Sequence, residues 1–114
     1  MRLRSALTTT VCVLAAAFAL PGPARAADGE FRYAFSAGGV QDEGRMIDPP
    51  SDVCLTLPEV ADTTDTEPAF APINNTSDPA TVYTGPDCDG ASFMLRPEGG
   101  HASERLKLRS VRFS

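Results

Sequence analysis

Residues 80–114 read ATVYTGPDCDGASFMLRPEGGHASERLKLRSVRFS and carry the most regular pattern in the chain. We predict three strands here, at 80–84, 91–96 and 105–113. A turn at 85–87 separates the first two. Leu106 and Leu108 share one parity along the third strand, whereas Val111 and Phe113 share the other. A bulge near residues 109–110 is therefore needed to direct all four side chains inward.

Shorter alternations of apolar and polar residues precede this region. Phe31, Tyr33 and Phe35 follow the period of two that is typical of a half-buried strand, and so do residues 53–57. Met46 and Ile47 indicate a further short strand. No segment after residue 26 has sustained helical periodicity, apart from one helical turn that we expect at 101–104. We therefore predict a compact all-β domain.

The segment 59–79 is expected to be a long acidic loop. It holds five acidic residues, three prolines and few large apolar residues. We expect Phe70 and Ile73 to attach it to the core. Asp62, Asp65 and Glu67 cluster in this segment, where solvated carboxylates are favoured over weak cation binding.

The amino terminus has the order of residues found in secretory signals. Arg2 and Arg4 precede an uncharged apolar stretch that ends at Leu20, and residues 21–23 then stop a helix. Ala24-Arg25-Ala26 is a small-x-small cleavage pattern, so we place the cut after Ala26. A membrane anchor is the alternative, but the apolar run of about 16 residues is shorter than the ~20 needed to span a bilayer.

We therefore expect residues 1–26 to be a cleaved signal peptide and residues 27–114 to be a secreted, extracellular domain. The first mature residues, 27–30, are short and polar, and we expect them to fray. The mature chain keeps seven basic and fifteen acidic residues, a formal net charge of −8. Because phosphate binding needs a positive surface, we expect no nucleic-acid partner and no membrane binding after cleavage.

Two cysteines, Cys54 and Cys88, remain after cleavage. Thiols oxidise outside the cell, so we predict that they form a disulfide. Closing a loop of about 35 residues stabilises the folded state by about 3.8 kcal/mol. The alternative is a free reactive pair or a metal site, but two cysteines and the distant His101 do not complete the four ligands of zinc. We expect no metal and no cofactor.

Four spacings in residues 80–114 indicate a family. Tyr83 is followed seven positions on by Gly90, then by Leu95 after four intervening residues, and Ser110 precedes an apolar pair. This pattern resembles one Greek-key motif of the βγ-crystallin family, which includes small secreted bacterial proteins, among them a metalloproteinase inhibitor and a killer-toxin-like protein. In that motif the aromatic packs over a folded hairpin, the glycine adopts a conformation closed to other residues, and the serine hydroxyl ties the hairpin down.

The resemblance implies a small Greek-key β-sandwich, a degenerate βγ-crystallin domain with one disulfide. Cys88 stands where the family has an aromatic, and residues 31–57 show no clear second copy of the motif. Calcium binding is frequent in this family, through two Asn or Asp residues followed by two arbitrary positions and then Ser/Thr-Ser. Here the corresponding run is RLKLRS at 105–110, so we expect no calcium at this place.

Residues that could carry chemistry are few. His101 lies in a glycine-rich stretch, and a solvated loop histidine is favoured over a catalytic base. Arg105, Lys107 and Arg109 alternate with leucines, so they are predicted to share one strand face. That face is either a solvated surface that discourages edge pairing or a site for an anionic partner such as a cell-wall polymer.

These features favour a non-enzymatic extracellular binding or structural module, which we expect to be a monomer. Its acidic loop would contact an extracellular protein. One alternative is a peptidase inhibitor, in which the proline-rich loop mimics a substrate. A small secreted toxin is the second alternative. No catalytic residues are predicted, because no nucleophile is paired with a base.

Overall fold

The computed structural model describes residues 25–114, so nearly all of the predicted signal peptide lies outside the described residues. These residues form strands β1 to β9, at Gly29–Ala37, Val40–Ile47, Cys54–Thr56, Ala69–Thr76, Ala80–Tyr83, Ser92–Leu95, Gly100–His101, Lys107–Leu108 and Ser110–Phe113. Two short 3-10 turns cover Pro58–Val60 and Pro86–Cys88. Across residues 25–114 no helix has the length and hydropathy needed to span a membrane. The predicted all-β class is confirmed.

The strands form two antiparallel sheets. The first has the order β2-β1-β4-β7, with β8 also paired to β4, and the second has the order β3-β9-β5-β6. Each half of the chain places its hairpin and its last strand in one sheet, and contributes β3 in the first half, or β7 and β8 in the second, to the other sheet. Thus β3 pairs with β9 and β7 pairs with β4. The last strand of each half returns to pair with the first strand of the same half. Thus β4 pairs with β1, and β9 pairs with β5.

The core lies between the sheets. The alternation predicted for β1 is confirmed, because Phe31, Tyr33 and Phe35 are all buried. Phe31 contacts Phe113 of the opposite sheet edge-to-face, with ring centroids 5.3 Å apart. Burying a large apolar side chain contributes about 1.5–3 kcal/mol, so these contacts fix how the two halves pack.

The last predicted strand is broken near residue 109, as its parity requires. Lys107–Leu108 pairs with β4 in the first sheet, whereas Ser110–Phe113 pairs with β5 and β3 in the second. Leu108, Val111 and Phe113 are all fully buried. The chain therefore passes from one sheet to the other at Arg109.

The predicted acidic loop at 59–79 is wrong for its second half. Residues Ala69–Thr76 form β4, an interior strand between β1 and β7. Ala71 has a φ of 52°, and Ala71 and Pro72 together lie opposite Tyr33, so a bulge accommodates the proline. Residues 61–68 and the short connection 77–79 remain irregular.

Three smaller predictions are also wrong. Residues 27–30 are not frayed, because Ala27 is fully buried and its N–H donates to the Pro49 carbonyl at 2.8 Å. The strand predicted at Met46 and Ile47 starts at Val40, since an edge strand tolerates polar residues on its exposed side. His101 lies in β7 rather than in a helical turn, and the turn nearby runs from Ser103 to Leu106.

Candidate functional site

The disulfide joins the two halves of the chain. Cys54 of β3 is bonded to Cys88, which lies in the connection between β5 and β6. The predicted pairing is therefore confirmed. Because β3 is the third strand of the first half, the bond fixes the place where that half enters the second sheet.

The connection from Thr84 to Ala91 is a folded loop that is shaped by Gly90 and held by Ser110. Gly90 has a φ of +89°, and a Cβ there would lie 2.3 Å from the Thr84 hydroxyl oxygen. The Ser110 hydroxyl donates to the Gly85 carbonyl at 2.6 Å and accepts from the Cys88 N–H at 2.8 Å. The glycine thus permits the close turn of this loop, and the serine hydroxyl ties the loop to β9.

The two remaining residues of that pattern lie on the hairpin itself. Tyr83 is half-buried at the end of β5, and Leu95 is buried at the end of β6. All four residues thus surround one hairpin of the second sheet. Their roles are structural, because they shape the backbone and fill the core.

The predicted basic face does not form as a unit. Arg105 is exposed and lies between strands, whereas Arg109 is only 8% exposed. The Lys107 ammonium lies 4.9 Å from the centre of the Phe70 ring and donates to the Glu104 carbonyl. The alternation of basic residues with leucines predicted one exposed face, and this prediction is wrong for Arg109. The chain changes sheets at this residue, so its side chain points inward.

Arg109 holds residues 61–68, the irregular part of the predicted acidic segment, from the side that faces the core. We keep the name acidic loop for these residues. Its guanidinium donates to the Val60 carbonyl at 2.8 Å, to the Thr66 hydroxyl at 3.0 Å and to the Thr66 carbonyl at 2.7 Å. A weaker bond reaches the Asp62 carbonyl at 3.4 Å. A buried cation is costly unless it is hydrogen-bonded, so these oxygens make its burial favourable and the loop conformation becomes part of the fold.

The outer side of this loop is acidic and open to solvent. Residues 61–65 and Glu67 are exposed. The carboxylate of Asp62 accepts from the Thr64 hydroxyl at 2.7 Å and from the Thr64 N–H at 2.9 Å, and these bonds lower the pKa of Asp62. Asp62 therefore stays ionised while closing a local turn, which further restricts the loop.

A second contact holds the start of the loop. The Tyr33 hydroxyl donates to the Glu59 carboxylate at 2.7 Å. Burial raises the pKa of Tyr33, and the hydrogen bond to Glu59 raises it further. The Tyr33 ring lies over Gly44 of β2, where a Cβ would be 2.5 Å from the ring. The first hairpin and the acidic loop are thus joined through one aromatic side chain.

The other candidate residues are not brought into a reactive arrangement. His101 is exposed, and its ring Nδ1 lies 3.0 Å from the Gly99 carbonyl oxygen. Asp87 and Asp89 are both exposed beside the disulfide. Within residues 25–114 there is no detectable cavity and no group of three or more His, Cys, Asp or Glu side chains that could hold a metal.

Asn74 is an important residue that sequence reasoning missed. It is fully buried, and its side-chain amide donates to the carbonyls of Asp78, Leu95 and Arg96. Its carbonyl oxygen accepts from the Thr76 hydroxyl at 2.7 Å. The segment Ile73-Asn74-Asn75-Thr76 looked like a loop because no local pattern distinguishes a polar residue bonded in the core from a solvated one.

The described residues thus define an all-β protein with two strand-exchanged halves, one disulfide and an acidic loop fixed by a buried arginine. Comparison of the chain with protein-family models, with curated proteins and with solved structures finds no match. The function is therefore inferred from the geometry itself.

Proposed function

We propose that the protein is a secreted, non-enzymatic binding module whose contact surface is the acidic loop at residues 61–68. The hydrogen bonds of Arg109 carry this proposal. They hold the loop backbone from inside the fold while the side chains of Asp62, Asp65 and Glu67 stay exposed. A surface built only for solubility would not need its backbone fixed by a buried guanidinium.

A fixed loop favours binding for a thermodynamic reason. Ordering a flexible segment costs about 1–2 kcal/mol of backbone entropy per residue, and a loop that is already ordered avoids this cost on binding. The exposed carboxylates favour a basic partner. Because Arg109 is buried, it is missing from the predicted basic face for an anionic polymer, whereas the exposed carboxylates of the loop fit an extracellular protein with a basic face.

Two further observations support the assignment to small secreted βγ-crystallin-like proteins. The exchange of third strands between the halves gives each sheet strands from both motifs. The positive φ of Gly90 and the hydroxyl bonds of Ser110 match the roles that this family gives a glycine and a serine at these spacings. The disulfide is consistent with an oxidising, extracellular location.

Affinity capture tests the proposal. The protein, produced from its full-length sequence, is immobilised and exposed to the culture in which it is naturally made. The matched control is the triple variant Asp62→Asn/Asp65→Asn/Glu67→Gln, which keeps the shape of the loop and removes its charge. We expect a basic protein to be retained by the parent and lost from the variant. Equal retention by both would remove the loop as the contact surface.

A peptidase inhibitor is the second candidate, and one observation favours it. The exposed residues 61–65 lie between two anchored carbonyls, those of Val60 and Thr66. A segment held in this way can occupy an active-site cleft with little loss of entropy. Inhibition assays against extracellular serine and metallo-peptidases test this role. Inhibition that disappears in Arg109→Met would establish it, and no inhibition by the parent would exclude it for the peptidases tested.

The small secreted toxin is a third proposal and rests on the family resemblance alone. Growth assays with the purified protein on bacteria and yeasts test it. Harmless results at high concentration exclude that role for the species tested.

A further inference from the structure

Strand β6 is an apolar, uncharged edge. Its residues Ser92–Leu95 end the second sheet, and no other strand within residues 25–114 pairs with the outer side of β6. Phe93 is 51% exposed and Met94 is 60% exposed. An exposed apolar edge strand is a template for pairing with another chain, and proteins usually protect such edges with charge, proline or short length.

The other sheet edges have such protection. Strand β2, at the edge of the first sheet, carries Asp42, Glu43 and Arg45. Strands β7 and β8, which share the other edge of the first sheet, have only two residues each, and the three residues of β3 are half-buried, with Cys54 fixed by the disulfide. The lack of protection is therefore particular to β6, which indicates a surface that a partner covers.

The hydrogen-bond pattern of the β5–β6 hairpin shows which backbone groups are free. The Thr84 N–H donates to the Ala91 carbonyl at 2.9 Å. Hydrogen-bonded pairs alternate along an antiparallel ladder, so Phe93 and Leu95 are bonded to Val82 and Ala80. The N–H and C=O groups of Ser92 and Met94 consequently face away from β5, toward the open edge.

We propose that β6 pairs antiparallel with β6 of a second copy of this chain. A two-fold axis at Phe93 places Ser92 opposite Met94 of the other copy, and this register forms four backbone hydrogen bonds between the free groups. The two Phe93 residues then form a non-hydrogen-bonded pair, the arrangement in which facing side chains are closest. The second sheets of both copies become one continuous eight-stranded sheet.

Charge complementarity argues for a second copy rather than an unrelated strand. Antiparallel pairing brings the carboxyl end of β6, which Arg96 follows, toward the amino end of the other copy's β6, which is preceded by the loop that contains Asp89. Arg96 and Asp89 are both exposed. The two-fold axis generates this pair twice, so opposite charges close both ends of an apolar centre. This self-association is independent of the acidic loop and goes beyond the proposed binding function.

Sedimentation equilibrium of the protein tests the proposal at physiological salt, where charges separated by more than about 8 Å are largely screened. As the protein concentration rises from about 1 μM to about 1 mM, we expect the mass to rise from one chain to two. Phe93→Lys should weaken the dimer at least about tenfold, because it places two like charges opposite each other.

A charge exchange keeps the test independent of any folding defect at Phe93. Arg96→Glu should weaken association, and Arg96→Glu combined with Asp89→Arg should restore it, because the pair re-forms with reversed signs. Gln41→Lys on the edge strand β2 is the matched control and should leave association unchanged. Circular dichroism verifies that every variant is folded.

Three results would overturn the proposal. The first is a monomer up to about 1 mM, which the sequence alone favoured. The second is a dimer that is insensitive to both Phe93→Lys and the charge exchange. The third is a monomer whose β6 pairs with an added extended peptide, which would assign this edge to another protein.

Discussion

The two halves of the chain share a topology but hold their hairpins by different means. The first hairpin, β1–β2, turns through Gly38 and Gly39, which have φ values of 59° and 81° and where an added Cβ would meet no atom within 4 Å. The second, β5–β6, is joined by the folded loop from Thr84 to Ala91, which Gly90, Ser110 and the disulfide hold to the sheet. One hairpin is defined by its turn, and the other by its tertiary contacts.

This difference explains why the spacings of Tyr83, Gly90 and Ser110 have no counterpart in the first half. A folded loop needs a particular glycine and a particular serine, so it leaves a pattern in the sequence. A two-residue turn between alternating strands needs only residues that tolerate positive φ. The first half therefore has the same strand exchange without the same spacings, and its symmetry with the second half is apparent only in three dimensions.

Breaking the disulfide should have the largest effect, because it is the strongest anchor of the second hairpin. Cys54→Ser/Cys88→Ser should lower the free energy of unfolding by about 4 kcal/mol, since the bond closes a loop with a sequence separation of 34 residues. Urea denaturation of the oxidised parent and the double variant measures this. A loss below about 1 kcal/mol would show that the folded loop holds without the bond.

Arg109 connects the halves, because it lies in the second and anchors a loop of the first. Arg109→Met should cost about 3 kcal/mol, since it leaves the carbonyls of Val60 and Thr66 without their donor. Hydrogen exchange at residues 62–66 should accelerate in the same variant. The exposed Arg105 supplies the control, and Arg105→Met should change stability by less than about 0.5 kcal/mol. Equal effects of both substitutions would contradict the anchoring role.

The two glycine sites allow a direct comparison of the hairpins. Gly90→Ala should cost about 2 kcal/mol, because it combines a positive φ with a Cβ 2.3 Å from the Thr84 hydroxyl oxygen. Gly39→Ala, which has the φ penalty without the contact, should cost about 1 kcal/mol. Thermal and urea unfolding of both variants give the difference. If Gly39→Ala were the more damaging, the first hairpin would be the more constrained of the two.

The smallest effect is expected at Tyr33, in the first half. Tyr33→Phe should cost about 1 kcal/mol at neutral pH through the lost hydrogen bond to Glu59. Because the pKa of Tyr33 is raised in the folded state, its contribution is fully present below about pH 10 and is lost as the pH rises further. Urea midpoints should therefore fall more steeply above about pH 10 in the parent than in the variant. Parallel pH profiles would refute the assignment.

Residue patterns predicted much of this fold and less of its candidate site. The alternation of Phe31, Tyr33 and Phe35 identified a core strand, and the change of parity after Leu108 correctly required a break. Alternation failed at Arg109, because a residue between two sheets belongs to neither face. It also failed at Asn74, because its partners are carbonyls that lie up to 22 residues away in sequence.

The sequence by itself determined the strands β1, β3, β5, β6 and β9, the excess of acidic residues and the pair of cysteines available for a disulfide. These properties depend on composition and on contacts between near neighbours. Only the tertiary structure decided that Arg109 faces inward, that Ala69–Thr76 is an interior strand and that β6 is an open edge. The environment of each of these residues is created by segments distant in the chain, so their burial and pairing follow from the assembled sheets.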